Sequence, residues 1–426
     1  MEPYSFEEMK DGDHILMATQ QEAIDLIKSG KNVFLTGGAG RGKSYVIKQV
    51  MDKHTILAAP TGVSALNIGG QTCHRTFGLP MGLPTMDDYN KVGSKVKKLL
   101  GSKHLKRVVL DEAGMTRADY MDLIDHRLKQ CRGNNLPFGG VQVVAVGDFF
   151  QLSPIVGQRE RNLFFKQYNT PFAFGANSWN FETCTLEENF RTGDKTQSRV
   201  LDSFRTGDRW VGRAIEWMGE NCLPYDEEED VLHLCAYKID AERINQLRYS
   251  ELTTKEVVYH GTTNNSKWSN DVAVPQIVRL KEGATIVIRA NDPEGSYVNG
   301  QRGTIKKLFA SSAIVTLENG EEVEVVPFLW ESHVYNSTAK GLTKTVEFMY
   351  SQLPIQLGYA TTIHAAQGLT LDRYVIDMGR GAFAHGMTYV AASRARDLTK
   401  VSIATPLTLR DVIIEPEVKQ FYGITR

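Results

Sequence analysis

A glycine-rich loop between an apolar run and a helical pattern restricts the fold of this chain more than any other feature. Residues 37–44 read Gly-Gly-Ala-Gly-Arg-Gly-Lys-Ser and match the phosphate-binding pattern G-x-x-x-x-G-K-[ST]. The apolar run 32–36 before the loop predicts a buried strand, and residues 45–50 after it predict a helix. Backbone N–H groups of such a loop, together with the helix start, bind polyphosphate. The sequence therefore predicts an α/β domain that binds a nucleoside triphosphate.

The same loop supplies most of the candidate nucleotide contacts. Lys43 is predicted to reach the β- and γ-phosphates of ATP, and the hydroxyl of Ser44 is predicted to bind Mg²⁺. The predicted nucleotide-binding residues of the loop are Gly38, Ala39, Gly40, Arg41, Gly42, Lys43 and Ser44.

A second motif predicts the remaining metal ligand and the base of a hydrolytic site. Residues 107–112 read Arg-Val-Val-Leu-Asp-Glu, which is an apolar strand ending in two carboxylates. A carboxylate at the end of such a strand holds Mg²⁺ opposite the hydroxyl of the phosphate loop. We therefore predict Asp111 as a metal ligand beside Ser44, and Glu112 as the general base that polarises the attacking water.

Three further residues complete the predicted catalytic set. Gln151 follows a strand-like run that ends in Gly147-Asp148, and its amide is placed to sense the γ-phosphate. Arg191 and Arg394 are candidates for the cation that stabilises transition-state charge, although each taken alone fits a surface salt bridge better. If a second domain supplies these arginines, closure of two domains becomes coupled to hydrolysis.

Composition excludes several classes of protein. The chain has 426 residues, enough for two to four domains. Its 49 Lys+Arg balance 50 Asp+Glu, so any basic surface that binds nucleic acid must be local. Five cysteines without a C-x-x-C pattern predict no disulfide framework and no zinc site, as in a cytoplasmic protein of bacterial or phage type. No apolar run approaches 18 residues, so we expect no membrane span, and we expect no signal peptide.

The order of the predicted elements indicates two α/β domains with an insertion. Seven short apolar runs, at 33–36, 55–59, 107–110, 141–146, 231–236, 374–378 and 401–404, alternate with helical patterns, as in parallel sheets flanked by helices. Residues 276–350 differ, because four short runs there are separated by Asn- and Gly-containing turns typical of hairpins. The predicted boundaries are 1–190 for the first domain, 191–275 with 351–426 for the second, and 276–350 for the inserted all-β module.

The motifs in their order resemble the superfamily 1 DNA helicases of the Pif type (petite integration frequency), which are related to RecD-like helicases. The resemblance covers roughly residues 16–405. Beyond the phosphate loop and Asp111-Glu112, the segments that carry it are 16–20, 59–70, 72–78, 137–152, 186–191, 297–304, 360–372 and 389–396.

This resemblance implies two RecA-like domains, with a small β-barrel inserted in the second and a wedge at about 79–106 in the first. It implies an ATP hydrolase that moves 5′→3′ on single-stranded DNA and unwinds duplex or forked DNA. Gln20 would read the adenine base, and Gly368 joins the nucleotide-binding residues. The implied nucleic-acid contacts are Pro60, Thr61, Gly62, Val63, His74, Phe77, Thr362 and His364.

Several positions depart from the pattern of that family. Arg41 stands where a small hydroxyl residue is usual, Arg75 replaces a small residue, and Ala365 stands where lysine is common. Tyr237-Lys238 replaces the usual Thr-Asn pair, which puts one expected strand contact in doubt. Residues 91–107 hold seven Lys or Arg, which fit either a solvated helix face or a surface that faces nucleic acid.

Three functions remain open from the sequence. The favoured one is an ATP-dependent 5′→3′ DNA helicase, and the alternative is a translocase or remodeller on single strands without strong unwinding. An ATP-gated binding module without turnover is disfavoured, because Lys43, Asp111, Glu112 and both candidate arginines are present. Protein partners and the physiological DNA substrate are not indicated.

Overall fold

The chain forms two compact units that each contain a parallel sheet. The computed structural model describes residues 17–61, 64–65, 68–188, 194–264, 274–338 and 341–424. The first unit comprises residues up to Thr196, residues 332–347, and the segment from Ile414 onwards. The second unit comprises residues 197–331 and 348–413.

A seven-stranded sheet forms the centre of the first unit. Its strands are β1 (Met17–Ala18), β2 (Val33–Thr36), β3 (Thr55–Ala59), β4 (Gln71–Thr72), β5 (Arg107–Leu110), β6 (Gln142–Val146) and β7 (Glu182–Leu186). They lie in the order β1-β7-β2-β6-β5-β3-β4, and every pairing is parallel. Every residue of β2 and β3 is buried, as expected for parallel strands covered on both faces. The predicted bounds of β2, β3 and β5 are confirmed.

Helices cover this sheet. They are α1 (Gln20–Lys28), α2 (Lys43–Val50), α3 (Cys73–Phe77), α4 (Met86–Asn90), α5 (Ser94–Leu100), α6 (Ala118–Arg132) and α7 (Gln158–Phe164). α1 begins with a capping box, in which Thr19 accepts from the backbone of Glu22 and Glu22 accepts from the backbone of Thr19. The predicted wedge segment contains α4 and α5. Its Leu99 and Leu100 are buried in the core, whereas Met81 and Met86 are exposed.

The second unit is built on a four-stranded parallel sheet with an antiparallel insertion, and residues 332–347 of β16 and β17 belong to the first unit. The remaining strands are β8 (His233–Cys235), β9 (Val257–His260), β10 (Thr262–Thr263), β11 (Ile277–Leu280), β12 (Thr285–Ile288), β13 (Arg302–Leu308), β14 (Ala313–Leu317), β15 (Glu322–Val325), β16 (Phe328–Thr338), β17 (Gly341–Gln352), β18 (Ile355–Leu357), β19 (Ala360–Thr362), β20 (Tyr374–Asp377) and β21 (Val401–Ile403). The parallel sheet has the order β19-β8-β20-β21. Its helices are α8 (Lys195–Thr206), α9 (Val211–Asn221), α10 (Lys238–Glu251) and α11 (Met387–Ala392).

The insertion contains an all-β sheet, as predicted from its turns. Five strands pair antiparallel in the order β15-β14-β13-β12-β18, and β10, β17 and β16 form a separate three-stranded sheet. The pairings of the described residues do not join β15 to β18, so the predicted barrel is an open five-stranded sheet in its hydrogen bonding.

The C-terminal segment differs from the predicted domain boundary, which placed residues up to 426 in the second domain. α12 (Pro416–Phe421) and the turn after it belong to the first unit. Val418 and Tyr422 are buried in the core of that unit, with Phe421 packed against it. Burial of these apolar side chains fixes the segment there, and the prediction lacked this long-range contact.

None of the helices formed by the described residues has both the length and the apolar character needed to cross a membrane.

Candidate nucleotide and nucleic-acid sites

Glycine conformations shape the phosphate loop. Gly37, Gly40 and Gly42 have φ values of 138°, 77° and 80°, in the region that side chains disfavour. A Cβ atom on Gly37 would lie 2.6 Å from the carbonyl oxygen of Leu186, so a larger residue would push the loop away from β7. These glycines therefore direct the turn from β2 into α2 that the motif predicts.

Lys43 and Arg41 are both held close to the loop. Lys43 is the first residue of α2, and its Nζ donates to the carbonyl oxygens of Gly37 at 2.7 Å and Gly38 at 3.0 Å. Arg41 donates from Nη1 to Leu186 O at 3.4 Å, which places its guanidinium at the end of β7. The side chain of Arg41 therefore lies beside the loop, and it is half-buried.

Three strand ends bring the predicted hydrolytic residues to one edge of the sheet. The phosphate loop follows β2, Gln151 lies in the loop after β6, and Asp111 follows β5 directly. Because β2, β6 and β5 are neighbours in a parallel sheet, their carboxyl ends open into one crevice. The same edge thus carries Lys43, the Asp111-Glu112 pair and Gln151, which come from three separate stretches of the sequence.

Asp111 has the environment expected of a metal ligand. Its backbone N–H donates to Ala58 O at 2.8 Å, which fixes the turn. Burial raises the pKa of its carboxyl group, while the backbone of Glu112 and the charge of Lys43 lower it in part. A hard divalent cation prefers oxygen ligands and would offset the cost of desolvating this carboxylate. The hydroxyl of Ser44 and the carboxylate of Asp111 therefore fit Mg²⁺.

The backbone at Glu112 is strained. Its φ of 49° lies in the left-handed region, where residues other than glycine cost of order 1–3 kcal/mol and occur preferentially at active sites. The neighbouring loops approach so closely that a Cβ on Gly147 would lie 2.9 Å from the backbone nitrogen of Gly114. Glu112 is thus held in an unusual conformation beside the loop that leads to Gln151.

The loop that carries Gln151 is buried. Gln151 is 9% exposed, and its backbone N–H donates to Asp148 O at 3.1 Å. Asp148 is 2% exposed and accepts from the backbone of Phe150 at 3.2 Å.

Tyr422 joins that loop to the phosphate loop, a contact that the motifs did not indicate. Its hydroxyl lies 2.8 Å from Thr36 Oγ1, immediately before the loop, and accepts from the backbone N–H of Phe149 at 3.4 Å. Its ring stacks on Phe150 with centroids 4.8 Å apart. One buried hydroxyl therefore bridges the two loops proposed to surround the γ-phosphate.

Three other predicted residues of the nucleotide site lie outside the phosphate loop. Gln20 is the half-buried first residue of α1. Gly368 is exposed with a φ of 84°. Arg394 is 3% exposed, and its guanidinium donates within the second unit to Val390 O, Leu369 O and Ser393 Oγ, at 2.8–3.2 Å.

Three predicted site residues lie outside the described residues: Arg191, Gly62 and Val63. The structure therefore gives no position for the first candidate arginine or for part of the first strand-contacting motif.

The remaining strand contacts of the first unit differ in accessibility. Pro60 and Thr61 are half-buried, and Thr61 Oγ1 donates to Ser64 Oγ at 2.8 Å. His74 is half-buried, with its ring edge-on to Tyr120.

The prediction that Phe77 contacts nucleic acid is wrong for this structure. Its side chain is 0% exposed and lies in the hydrophobic core of the first unit. Motif spacing places Phe77 near the strand contacts. Its position on the inner face of α3, however, leaves no ring surface for a base.

The second unit carries the other predicted strand contacts at the end of β19. Thr362 ends this strand, and its Oγ1 accepts from the backbone N–H of Ala365 at 3.1 Å. His364 is exposed, and its ring lies nearly parallel to that of Phe383. Phe383 was not singled out from the sequence, because an isolated phenylalanine carries no sign of its exposure.

Comparisons with known proteins agree on one family. A family model described as PIF1-like helicase matches residues 15–213. The ATP-dependent DNA helicase Pif1 of Bdellovibrio bacteriovorus is 32% identical over 420 residues, which cover 96% of this chain and 91% of that protein.

Solved structures give the same result. Pif1 from Bacteroides sp in complex with ADP-AlF4 is 30% identical, with a TM-score of 0.86 and 96% of each chain covered. Bacteroides Pif1 bound to ssDNA is 30% identical, with a TM-score of 0.68 over 96% of each chain. With these similarities and the two RecA-like units, the chain belongs to the PIF1-like helicase family.

Proposed function

We propose that this chain, an ATP-dependent DNA helicase by its family, moves 5′→3′ along single-stranded DNA and separates duplex or forked DNA. The observation that carries the proposal is the convergence of Lys43, Asp111 and Glu112 at one edge of the first sheet. The direction of movement rests on the family resemblance.

The nucleotide half of the mechanism uses residues of the first unit. Lys43 would exchange its bonds to the loop carbonyls for the β- and γ-phosphates of ATP. Ser44 and Asp111 would hold Mg²⁺, which when bound neutralises phosphate charge. Glu112, whose backbone lies in the left-handed region, would accept a proton from the attacking water.

Release of phosphate must be sensed before the strand can move. We assign this role to Gln151, whose buried loop is tied to the start of the phosphate loop through Tyr422. A shift at the γ-phosphate would therefore reach Gln151 and Thr36 together.

Two arginines are proposed to stabilise transition-state charge, Arg191 and Arg394. Arg394 already uses its guanidinium to tie α11 to the loop after β19. A γ-phosphoryl group that recruited Arg394 would therefore compete with its bond to Leu369 O, next to Gly368. This competition offers a physical route from hydrolysis to the strand grip.

Single-stranded DNA would be held by Pro60, Thr61 and His74 in one unit and by Thr362 and His364 in the other. Phosphate contacts and base stacking together give sequence-tolerant binding, which a translocating enzyme needs. The segment 79–106, with α4, α5 and its lysines, is the proposed wedge. All five cysteines are free thiols.

ATP hydrolysis with and without single-stranded DNA tests the proposal. We expect low turnover alone and strong stimulation by an unstructured oligodeoxythymidylate. Glu112→Gln should lower stimulated turnover by about 10²–10⁴-fold, the usual contribution of a general base, while a fluorescent ATP analogue still binds. Equal turnover with and without DNA in the wild-type chain would contradict the proposal.

A further inference from the structure

An exposed aromatic cluster occupies the carboxyl edge of the four-stranded parallel sheet. Tyr237 follows β8, His364 lies just beyond β19, and Arg380 and Phe383 lie in the segment after β20. Because β19, β8 and β20 are adjacent and parallel, their carboxyl ends are neighbours. Four side chains from three separate loops therefore meet on one surface.

Phe383 is the central ring of this cluster. Its centroid lies 5.0 Å from that of Tyr237 and 6.3 Å from that of His364, with only 15° between the planes of Phe383 and His364. Even so, 53% of Phe383 is exposed. A phenylalanine whose role is to fill a core is normally buried. The ring of Phe383 instead lies beside Tyr237 and His364, while about half of the residue stays open to solvent.

The supporting residues are themselves fixed. The hydroxyl of Tyr237 donates to Gly381 O at 3.1 Å, which ties its loop to the segment that carries Phe383. The guanidinium of Arg380 lies 4.5 Å from the centre of the Tyr237 ring. The ring of Phe383 is therefore pre-positioned, so little conformational freedom would be lost when a flat partner binds.

The cluster has exposed cations beside its rings, and the carboxylate of Asp240 also lies close by, next to Gly379. Arg380 and Lys238 are exposed next to the rings, and Lys238 Nζ lies 3.4 Å from Glu242, an exposed pair of small energetic weight. Exposed rings beside exposed cations are the elements of a sequence-tolerant single-strand surface. A nucleobase on a phosphate backbone meets both requirements.

The cluster also bears on the unusual Tyr237-Lys238 pair, which replaces the Thr-Asn expected from the family resemblance. We propose that Phe383, supported by Tyr237 and His364, is a base-stacking residue of the DNA-binding surface, with Tyr237 acting as its positioning residue. The proposal rests on the proposed function and adds a specific contact to it. The ligand is a single nucleobase of the bound strand, with Lys238 and Arg380 beside its phosphates.

This role is tested by measuring the binding of two fluorescein-labelled oligomers of about twelve nucleotides. One is oligodeoxythymidylate, and the other consists of abasic sites with the same number of phosphates. Phe383→Ala should weaken oligodeoxythymidylate binding by about tenfold, as expected from the loss of one stacked base. Abasic binding should change less than about twofold, since phosphate contacts are kept. Phe383→Trp should restore oligodeoxythymidylate binding.

Phe309→Ala provides the matched control. Phe309 is 43% exposed in the same unit and lies beyond β13, in the antiparallel insertion. This variant should bind both oligomers as the wild type does. In ATPase assays, Phe383→Ala should raise the half-stimulating DNA concentration much more than it lowers maximal turnover.

Equal losses for both oligomers, or no loss in Phe383→Ala, would overturn the stacking role while leaving the helicase function intact. A wild-type chain that binds neither oligomer would instead overturn DNA binding itself, and the stacking role with it.

Discussion

Both units place their functional loops at the carboxyl edge of a parallel sheet, but the two edges use different chemistry. The first edge consists of glycine backbone with positive φ, one lysine and a half-buried carboxylate. The second edge presents the exposed rings of Phe383 and His364 beside exposed cations. A triphosphate has one shape and a fixed charge pattern, so its site is built from close backbone contacts. A DNA strand varies in base and conformation, so the surface proposed to bind it would rely on stacking.

This difference predicts unequal sensitivity to mutation. In the proposed mechanism, side chains at the first edge act on charge that develops during one reaction, so their loss should affect turnover steeply. Side chains at the second edge would each contribute one of several contacts along a strand, so their loss should affect affinity moderately.

The largest effect is expected at the phosphate loop. Lys43→Ala removes the cation that would lie against the β- and γ-phosphates, and DNA-stimulated turnover should fall on the order of 10³-fold. Lys48→Ala, in the last turn of the same helix, should keep wild-type turnover. A phosphate-release assay compares the two variants. If both retained wild-type rates, the first edge would not be the hydrolytic site.

The next largest effect is expected on stability, for changes in the C-terminal segment that packs in the core of the first unit. Tyr422→Ala removes a ring that is 4% exposed and should lower the free energy of unfolding by about 3 kcal/mol. Tyr422→Phe keeps the ring and loses the bridging hydroxyl. It should therefore lower the free energy of unfolding by about 1 kcal/mol and weaken ATP binding. Urea denaturation measures both values.

Tyr225→Ala is the control for this pair, because Tyr225 is 37% exposed in the second unit. If Tyr422→Ala and Tyr225→Ala unfolded at the same urea concentration, the C-terminal segment would not stabilise the first unit as described.

The smallest effect is expected at Asp377, the last residue of β20 in the second unit. His233 Nδ1 lies 3.8 Å from its carboxylate, and this neighbour together with the backbone N–H of Gly379 lowers its pKa. A lowered carboxyl pKa adds stability above the unfolded value, near 3.9, and that stability is lost as the pH falls through the folded pKa.

Asp377→Asn should therefore destabilise the protein by about 1 kcal/mol at pH 7, and by less as the pH approaches 3. Urea denaturation of variant and wild type between pH 7 and 3 measures this difference. A gap that stays constant across the range would show that the ionised carboxylate of Asp377 does not contribute.

Much of the first edge was predictable because local sequence dictates it. Buried parallel strands read as apolar runs, so β2, β3 and β5 were predicted with their observed bounds. The phosphate loop is a contiguous motif, and three of its glycines are needed where the backbone has a positive φ. Asp111 and Glu112 were found because a polar pair directly after an apolar strand is an informative signal.

Long-range packing was less predictable. Phe77 shares a segment with His74, but only the tertiary structure shows that its side of α3 faces the core. Val418 and Tyr422 look the same in the sequence whichever unit they enter. The exposure of Phe383 depends on three loops that are distant in the sequence, so stacking there could be inferred only once the sheet was assembled.

Strand separation on partial duplexes with a 5′ or a 3′ single-stranded tail tests the proposed direction of movement. We expect ATP-dependent release of the labelled strand from the 5′-tailed duplex, little release from the 3′-tailed duplex, and none with Lys43→Ala. Equal release from both duplexes, preferential release from the 3′-tailed one, or no release from either would contradict this expectation.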